Sequence, residues 1–477
     1  MKKILIAMMA LIGSVLAGCN DWLDVSPRTE VKKDALLETQ KGFRDVLTGA
    51  YIRMKDNNLY GGEMAWGTIE YLAQHWETTA GTTNNYIQSY NYSAGVVKDR
   101  FTDIFKTYYK AIADVNGILE EIDNKKGVFT KGNYELIKGE ALALRAFCHL
   151  DVLRLFGPMP SGDVPEGKIL PYVKTVTNEV HDYSTYDQFV GLLFDDLNDA
   201  EKLLGEVDPI LKFSIDDLKS TTVIEGELED DYWGYRQIRM NYYSVLALKA
   251  RLYLWTGDVT NAALYANKVI DATDPSGKKM WTLADGVTVE TGDWACASEN
   301  ILGLSVHDLD TRASDNFDLT GKGKYAMEWK FTYYVFSTTE SVADIRFNKQ
   351  WVKATKDGQG IYICRKYFQP DQSPRYEIPL IRLCEMYFIA MEAASSSTEA
   401  NKLYTEYASK RGVSKIDLET DRVNKLKKEF NKEFYAEGQM FYFYKRTGAT
   451  SSLEYVQIKP ESYVAPLPDR EILFNNK

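Results

Sequence analysis

The sequence has few of the residues that build metal sites and disulfide frameworks. Only five cysteines and four histidines occur in 477 residues. No two cysteines form a CxxC pair, and the histidines stand far apart, at His75, His149, His181 and His307. Neither a zinc site nor a dense disulfide framework is indicated. We expect no metal and no cofactor, and we expect buried free thiols at Cys148, Cys296, Cys364 and Cys384.

Long apolar runs and an excess of positive charge are also missing. Beyond the N-terminus no apolar run approaches the roughly 18 to 20 residues that span a bilayer. The formal net charge is −11, with 68 acidic residues against 57 basic ones. Because this charge repels nucleic acid and anionic lipid headgroups, we expect no nucleic-acid partner.

The N-terminus has the pattern of a bacterial export signal. Two lysines precede an uncharged apolar stretch, residues 4–17, which is too short to span a bilayer comfortably. The stretch ends in LAGC, which resembles the cleavage box of bacterial lipoproteins. We predict a signal peptide over residues 1–18, lipid attachment at Cys19 and a polar leash over residues 19–30. An ordinary signal peptide with a coincidental cysteine is the alternative.

Motifs of common catalytic sites are absent as well. There is no GxSxG nucleophile elbow, HExxH pair or GxxxxGK[ST] phosphate loop. The paired carboxylates of glycosidases are recognised by their separation in space, which a sequence does not give. We therefore predict no enzyme and no catalytic residue. A glycosidase or lyase without a recognised motif, and a structural surface lipoprotein, remain the alternatives.

Hydrophobic periodicity predicts a mainly helical protein. Apolar residues recur at spacings of three and four over residues 101–123 and 134–156, and a Gly-Pro pair stops the second helix. Residues 241–270 predict a helical hairpin with a tight Thr-Gly-Asp turn and alanines on the facing side. A third helix pair is predicted over residues 379–393 and 399–412. Such pairs resemble tetratricopeptide units separated by inserts.

Long polar stretches separate the predicted helices, at about residues 57–95, 205–235 and 273–377. Loops of this length in a compact body are usually functional or disordered. Strands are expected only locally, as in residues 329–336 and 361–368. The acidic run at residues 225–231 predicts a solvated loop, with a calcium site as the alternative.

Several segments resemble, in the expected order, those of the SusD/RagB family of surface lipoproteins. They are CNDWLDVSP, GEALALRAFCHLDVLRLFGPMP, ALKARLYLWTGDVTNAALYANKVI, SENILGLSV, DIRF, PLIRLCEMYFIAMEA and VAPLPDREILFNN. The resemblance covers essentially the whole chain. It implies a mainly α, SusD-like fold of tetratricopeptide-like helix pairs with long loop-rich inserts and a few short strands. This fold would form a single domain over residues 31–477.

The resemblance also implies a function. Proteins of this family bind nutrients, most often oligosaccharides, and are lipid-anchored in the outer membrane facing the cell exterior. The chain would deliver its ligand to a TonB-dependent, SusC-like outer-membrane transporter, for which it would act as a hinged lid. Peptides or glycoprotein-derived ligands remain alternatives.

One segment departs from the family pattern. The stretch KKEFNKEFYAEGQMFYFYKR has Met440 and Phe441 where the family has Arg and Trp. It keeps the family's residues at Glu433, Phe434, Glu437, Gly438 and Arg446. The departure indicates a divergent branch and leaves the ligand class open.

The resemblance places the ligand surface in two loop regions, here residues 70–92 and 292–345. Aromatic rings stack on the apolar faces of a sugar ring, while amides bind its hydroxyls. The predicted ligand-binding residues are Trp76, Asn84, Asn85, Tyr86, Tyr90, Tyr92, Trp294, Trp329, Tyr333 and Tyr334.

Burial in the core is the alternative for each of these aromatic residues. Trp76 is expected at a helix end facing solvent, whereas Tyr90 and Tyr92 would be half-buried on a strand edge under the alternative. Alternation along residues 329–336 would bury about half of the rings there. Trp233 and Tyr235 are weaker candidates for ligand binding. Four aromatic residues on helices have core spacing and are assigned to packing: Tyr253, Trp255, Tyr387 and Phe388.

Overall fold

In a computed structural model of the protein, helices form most of the body and short strands connect some of them. The structure describes residues 36–162, 164–177, 179–219, 229–318, 320–337, 343–367, 376–453 and 456–475. The predicted signal peptide, Cys19 and the leash lie outside the described residues. So does most of the acidic run at 225–231.

The first half of the described chain is mainly helical and contains two short strands. Before the first strand lie α1 (Gln40–Met54), α2 (Thr68–Leu72), α3 (Thr83–Gln88), α4 (Gly95–Glu121) and α5 (Asn133–Phe156). The first two strands are β1 (Lys168–Pro171) and β2 (Tyr183–Thr185). They are followed by α6 (Tyr186–Val207), α7 (Ile215–Leu218), α8 (Tyr242–Thr256), α9 (Val259–Ile270) and α10 (Gly286–Glu290).

The second half mixes short strands with helices. Its strands are β3 (Asn300–Ser305), β4 (Ala326–Met327), β5 (Trp351–Lys356), β6 (Gln359–Cys364) and β7 (Glu377–Arg382). Its helices are α11 (Leu309–Asn316), α12 (Glu328–Lys330), α13 (Ile345–Gln350), α14 (Leu383–Ala393), α15 (Ser397–Arg411), α16 (Arg422–Glu433), α17 (Met440–Thr447) and α18 (Asp469–Asn475). Helix α12 continues into a π-helical turn, Phe331–Val335.

The two long helices α4 and α5 pack at the centre of the body. The predicted helix over residues 134–156 is confirmed, and the one over 101–123 begins earlier, at Gly95, because Val97 is also buried. Helix α5 is apolar or buried on nearly every side, as expected for a helix inside a large core. Its C-terminal carbonyl groups are capped by the buried Lys445, whose Nζ donates to the Gly157 carbonyl at 2.7 Å.

The predicted hairpin over residues 241–270 is confirmed as α8 and α9. Gly257 adopts a φ of +83° between the two helices, a conformation that glycine adopts without strain. The side chain of Asp258 then accepts from the backbone N–H of Asn261 at 3.0 Å and starts the second helix. Alanines Ala262 and Ala266 are fully buried, so the two helices approach closely.

The third predicted pair is observed as α14 and α15, with one correction. Residues 379–382 belong to strand β7 rather than to a helix. Strand β7 pairs antiparallel with β3, with Arg382 opposite Asn300. The β-branched Ile378 and Ile381 are buried there and favour the strand.

Three small antiparallel sheets are present in the described part of the chain. Strand β1 pairs with β2, β3 pairs with β7, and β4, β6 and β5 form a three-stranded sheet in that order. The strand predicted over 361–368 is confirmed for residues 361–364, which belong to β6, whereas residues 365–367 follow the strand. The strand predicted over 329–336 is wrong, because these residues form α12 and the π-helical turn.

A network of buried ion pairs fixes the segment that departs from the family pattern. Glu433 accepts from Arg382 at 2.9 Å and from Arg411 at 2.8 Å, and Glu437 accepts twice from Arg382. These side chains are at most 6% exposed, so removing one partner would leave an unpaired buried charge. Although burial alone would raise the pKa of Glu433, Arg411 and Arg382 hold it well below its ordinary value.

The buried side chains form a nearly continuous core. Its main hydrophobic cluster includes residues from Leu37 in the first described segment to Ala465 near the C-terminus. The predicted free thiols are confirmed, since Cys148, Cys296, Cys364 and Cys384 are all buried and unbridged.

Candidate functional site

Two large aromatic side chains project into solvent from the segment of residues 328–335. Trp329 is 59% exposed and Tyr333 is 74% exposed. They lie four residues apart on a helical segment, so both point to the same side. Between and beside them, Phe331 and Val335 are 1% and 2% exposed and face the core. The helical backbone, rather than a strand, therefore separates the outward rings from the inward ones.

Tyr334 completes this group, which we call the aromatic platform (Trp329, Tyr333 and Tyr334). The Tyr334 ring is partly buried and lies edge-on to both neighbours. Its centroid is 4.8 Å from that of Tyr333 and 6.3 Å from that of Trp329. Such edge-to-face contacts hold aromatic rings in a defined orientation. The platform therefore presents two ring surfaces to solvent on a packed base.

The base of the aromatic platform is a cluster of core aromatic residues. The Phe331 ring lies 4.3 Å from the ring of Trp351 and 5.0 Å from that of Tyr362. Trp351 in turn contacts the rings of Trp76 and Tyr435. Because large aromatic side chains bury much area, this cluster anchors the exposed segment firmly.

The structure brings the two predicted ligand regions together at this point. Lys330 donates to Glu77 at 2.6 Å, and the backbone N–H of Glu77 donates to the Tyr325 carbonyl at 3.0 Å. Glu77 belongs to the first predicted region, and Lys330 and Tyr325 belong to the second. The segment that follows Trp76 therefore lies beside the aromatic platform.

Polar side chains of the first region bind mainly to one another. Asn85 donates to Thr78 at 3.1 Å, Thr78 donates to Gln88 at 2.6 Å, and Gln88 donates to the carbonyl of Trp76 at 2.7 Å. Burial raises the pKa of Tyr71 to about 12, and the half-buried Asn84 lies near enough to oppose this rise. Within the polar stretch 57–95, which was predicted as a loop region, residues Thr83–Gln88 form a short helix, α3, capped by Thr82.

Three predicted tyrosines of the first region are half-buried rather than exposed. Tyr86, Tyr90 and Tyr92 all pack against the core. The Tyr90 hydroxyl donates to the Leu72 carbonyl at 2.9 Å, and the Tyr92 hydroxyl donates to the Ser462 carbonyl at 2.6 Å. Tyr90 lies in a turn with a φ of +55° and not on a strand edge. Their hydroxyl groups therefore stabilise the fold.

The expectation that Trp76 faces solvent is wrong. Its side chain is 1% exposed, and its Nε1 donates to the Trp66 carbonyl at 3.0 Å. The reason lies two residues earlier, where Gln74 adopts a φ of +67° and redirects the chain after helix α2. His75 and Trp76 consequently turn into the core, and His75 stacks on Tyr435 with centroids 3.7 Å apart.

Trp294 is also buried and is not available to a large ligand. It is 9% exposed, and the guanidinium of Arg365 lies 4.5 Å from the centre of its ring. Its carbonyl accepts from the side chain of Gln350 at 2.7 Å. Stacking of this kind explains why a tryptophan in a polar insert is not exposed.

The weaker candidates Trp233 and Tyr235 differ in exposure, because a residue with a positive φ redirects the chain here, as Gln74 does before Trp76. Trp233 is 4% exposed, whereas Tyr235 is 51% exposed and has a φ of +54°. In the nearby acidic run, Asp230 pairs with Arg44 at 2.6 Å, and Asn133 donates to Glu229 at 2.6 Å. The described part of this run therefore forms internal contacts.

One buried group has the atoms to hold a metal ion. Among the described residues, Glu299, Cys384 and Glu433 place their possible ligand atoms within 4.8 Å of one another. Both carboxylates already accept from Arg382 and Arg411. Burial raises the pKa of the Cys384 thiol well above its ordinary value, which disfavours the thiolate that metals bind. This group fits the buried ion network better than a metal site.

Comparison with known proteins relates the chain to one family. A SusD-like family described as "Starch-binding associating with outer membrane" matches residues 21–214. A SusD-like protein of Formosa agariphila is 24% identical over 150 residues, which are 30% of this chain and 28% of that protein. The chain thus aligns with less than a third of that relative.

Solved structures share the fold over nearly the whole chain. A SusD superfamily protein from Bacteroides thetaiotaomicron is 19% identical, with a TM-score of 0.70 covering 92% of this chain and 98% of that one. A laminarin-binding SusD-like protein is 15% identical, with a TM-score of 0.65 covering 91% and 97% of the two chains. The chain therefore has the mainly α fold of these SusD-like structures, and it is similar in sequence to the SusD-like family over residues 21–214.

Proposed function

We propose that the protein binds oligosaccharides and that the aromatic platform is its binding surface. The observation that carries this proposal is the exposure of Trp329 and Tyr333 beside the half-buried Tyr334. Burial of a large ring is normally favourable, so two adjacent exposed rings on a packed base indicate a surface kept for a partner. Flat rings suit the apolar faces of pyranose sugars.

Similarity to glycan-binding relatives supports an oligosaccharide as the ligand. The matching family is described as starch-binding, and one protein with the same fold is described as laminarin-binding. Both descriptions refer to glucose polymers, whose ring faces stack on aromatic side chains. Of the ten residues predicted from the sequence, we therefore retain Trp329, Tyr333 and Tyr334 as ring contacts. Asn85, beside Thr78, is retained as a polar neighbour.

The proposed activity is capture of the ligand without cleavage. Two carboxylates, Glu77 and Glu328, lie next to the platform in the fold, and each is held in an ion pair with a lysine, Lys330 or Lys353. Glycosidases instead use two carboxyl groups placed on either side of the scissile bond. We assign these two glutamates to positioning the platform segment.

We further propose that the protein is anchored to the outer membrane by lipid at Cys19 and passes its ligand to a TonB-dependent transporter. The family description associates these proteins with the outer membrane. No helix among the described residues is long and apolar enough to cross a membrane. A lipid on Cys19 would give attachment, because each buried methylene contributes about 0.8 kcal/mol.

Titration calorimetry of the full-length protein in detergent tests the proposed function. The ligands are maltooligosaccharides, laminarin-derived oligosaccharides and unrelated peptides, and each mixture is then checked for cleavage. Saturable binding of an intact oligosaccharide is expected. Cleavage would replace the proposal with an enzyme, and binding of peptides alone would replace the ligand class. Co-purification of a barrel protein from solubilised outer membranes tests the transporter separately.

A further inference from the structure

A second candidate site lies inside the helical body, in a cavity between helices α8, α14 and α17. The cavity measures about 50 Å³, enough for a few water molecules or one small solute. Its apolar wall consists of Leu254, Trp255, Phe388, Ile389, Phe430 and Phe443. Two of these residues, Phe430 and Phe443, belong to the C-terminal segment that departs from the family pattern.

Three arginines also line this cavity, and each has an acidic partner. Arg251 donates twice to Glu385, at 2.7 Å each, and Arg446 donates twice to Glu392, at 2.7 and 2.8 Å. Arg154 is paired with Asp151 and stacks on the Tyr442 ring, with its guanidinium 3.9 Å from the ring centre. The carboxylate oxygens that line the cavity therefore already accept hydrogen bonds from guanidinium groups.

Three polar atoms of the cavity-lining residues have no partner. They are Nη1 of Arg251, Nε1 of Trp255 and the hydroxyl oxygen of Tyr442. All three residues are buried, with exposures of 5%, 3% and 4%. A buried polar group without a hydrogen bond costs folding free energy, and native proteins leave few of them. All three atoms can donate, so a group that accepts hydrogen bonds is expected in this cavity.

The lining offers mainly donors, and this favours an anion over water. Water accepts hydrogen bonds, but it must also donate its two hydrogens, and buried water typically makes about three hydrogen bonds. Besides the Tyr442 oxygen, the side-chain acceptors of the lining belong to Glu385, Glu392 and Gln439, and each already accepts from an arginine, so a water would have to share an acceptor with a guanidinium N–H. A carboxylate only accepts, so its two oxygens match a guanidinium N–H and a hydroxyl and add no donor that needs a partner.

We propose that this cavity binds a small carboxylate with a short apolar body, of about the size of propionate. Its carboxylate would accept from Arg251 Nη1 and from the Tyr442 hydroxyl. Its apolar part would contact Phe388, Phe430 or Phe443. Phosphate and sulfate fit less well, because they have more acceptor oxygens than this lining has free donors.

The position of the Arg446–Glu392 ion pair provides a route into the cavity. Both residues also line a neighbouring polar cleft of about 540 Å³, together with Asn424, Thr447 and Ser451. Their side chains are 15% and 12% exposed, so the pair is accessible from the cleft side. An entering carboxylate can compete with Glu392 for the fork of Arg446 before it reaches Arg251. This site is independent of the aromatic platform and of glycan binding.

Binding of propionate to the full-length protein tests the proposal, with propionamide as a neutral ligand of the same shape. We expect saturable binding of propionate in calorimetry and a rise in melting temperature, and neither effect with propionamide. Tyr442→Phe keeps the ring and removes one donor, so it should weaken propionate binding about tenfold or more. Tyr109→Phe is the control, because it removes a partly buried hydroxyl that donates to the Pro171 carbonyl instead. It should leave propionate binding unchanged.

Three results would overturn this site. The first is equal binding of propionate and propionamide. The second is equal propionate affinity in the wild type and Tyr442→Phe. The third is a crystal structure grown with propionate that shows only ordered water between Arg251 and Tyr442. Melting curves of both variants without ligand verify that the proteins compared are folded.

Discussion

The Nζ atom of Lys330 lies 2.6 Å from Oε1 of Glu77, a residue 253 positions earlier in the chain. This ion pair joins the two segments that were predicted separately as ligand regions. The side chains of Lys330 and Glu77 are 27% and 23% exposed, so the ion pair is partly shielded from solvent. It holds the chain after Trp76 against the platform segment.

We predict that this ion pair contributes measurably but modestly to stability. A double-mutant cycle with Glu77→Gln and Lys330→Met should give a coupling energy of about 0.2 to 1 kcal/mol in denaturant unfolding. The exposed pair Lys41–Asp45, with side-chain exposures of 82% and 48%, is the control and should give a smaller value. Equal coupling energies for the two pairs would contradict a positioning role for Glu77.

Replacement of Trp76 is predicted to damage the fold and not a surface. Trp76→Ala removes a ring that is 1% exposed and packs on Phe317, Trp351 and Tyr435. The expected loss in the free energy of unfolding is about 3 to 5 kcal/mol. Trp329→Ala, the matched change at an exposed tryptophan, should cost about 0.5 kcal/mol or less. Similar losses for both variants would contradict the assigned burial.

The conformation of Gly438 gives a prediction that depends on a single close contact. Gly438 has a φ of +71°, and a Cβ there would lie 2.2 Å from the carbonyl oxygen of Met64. Gly257 has a φ of +83° with open space around it. Gly257→Ala should therefore cost only the backbone strain, about 1 to 2 kcal/mol. Gly438→Ala should lower the free energy of unfolding by clearly more than Gly257→Ala does, as measured by thermal unfolding. Equal losses for the two variants would show that the Met64 carbonyl moves freely.

The buried carboxyl of Glu433 predicts a specific dependence of stability on pH. Its pKa in the folded protein lies well below the ordinary value. The stabilisation by its ion pairs is therefore present above the pKa in the unfolded chain, about 4.3, and is lost as the pH falls through the lowered folded-state pKa. Glu433→Gln should cost about 3 to 5 kcal/mol at pH 7.

The difference between the wild type and Glu433→Gln should narrow as the pH falls below about 4.3. Denaturant unfolding between neutral and acidic pH measures this difference directly. Glu419→Gln, at an exposed position, is the control and should differ little from the wild type at any pH. If the difference in free energy of unfolding between the wild type and Glu433→Gln stayed constant with pH, this would contradict the lowered pKa of Glu433.

Long helices were predictable from the sequence because their signals are local. Each signal involves residues close together in the sequence. Examples are the apolar stripe and Gly-Pro stop of α5 and the Thr-Gly-Asp turn between α8 and α9. Family resemblance added the order of the segments and hence the fold. Strand β7 was missed because its apolar run reads equally well as the first turn of α14.

Exposure of single aromatic residues was less predictable. Trp76 is buried because Gln74 adopts a positive φ, and no pattern in the sequence predicts a turn at that residue. Along residues 329–336, the same apolar residues fit both the alternation of a strand and the four-residue spacing of a helix. The structure selects the second, which places Phe331 and Val335 inward and Trp329 and Tyr333 outward. The sequence therefore indicated the segment that carries the exposed rings but the wrong backbone conformation.

The most direct test of glycan binding is the affinity of the double variant Trp329→Ala/Tyr333→Ala for the oligosaccharide that the wild type binds. We predict at least about tenfold weaker binding in calorimetry, since exposed aromatic contacts of this kind often contribute most of the binding energy. The melting temperature should fall by no more than a few degrees. Tyr235→Ala, which removes another exposed ring, should bind as the wild type does. Unchanged affinity in the double variant, with the fold intact, would contradict the aromatic platform as the binding surface.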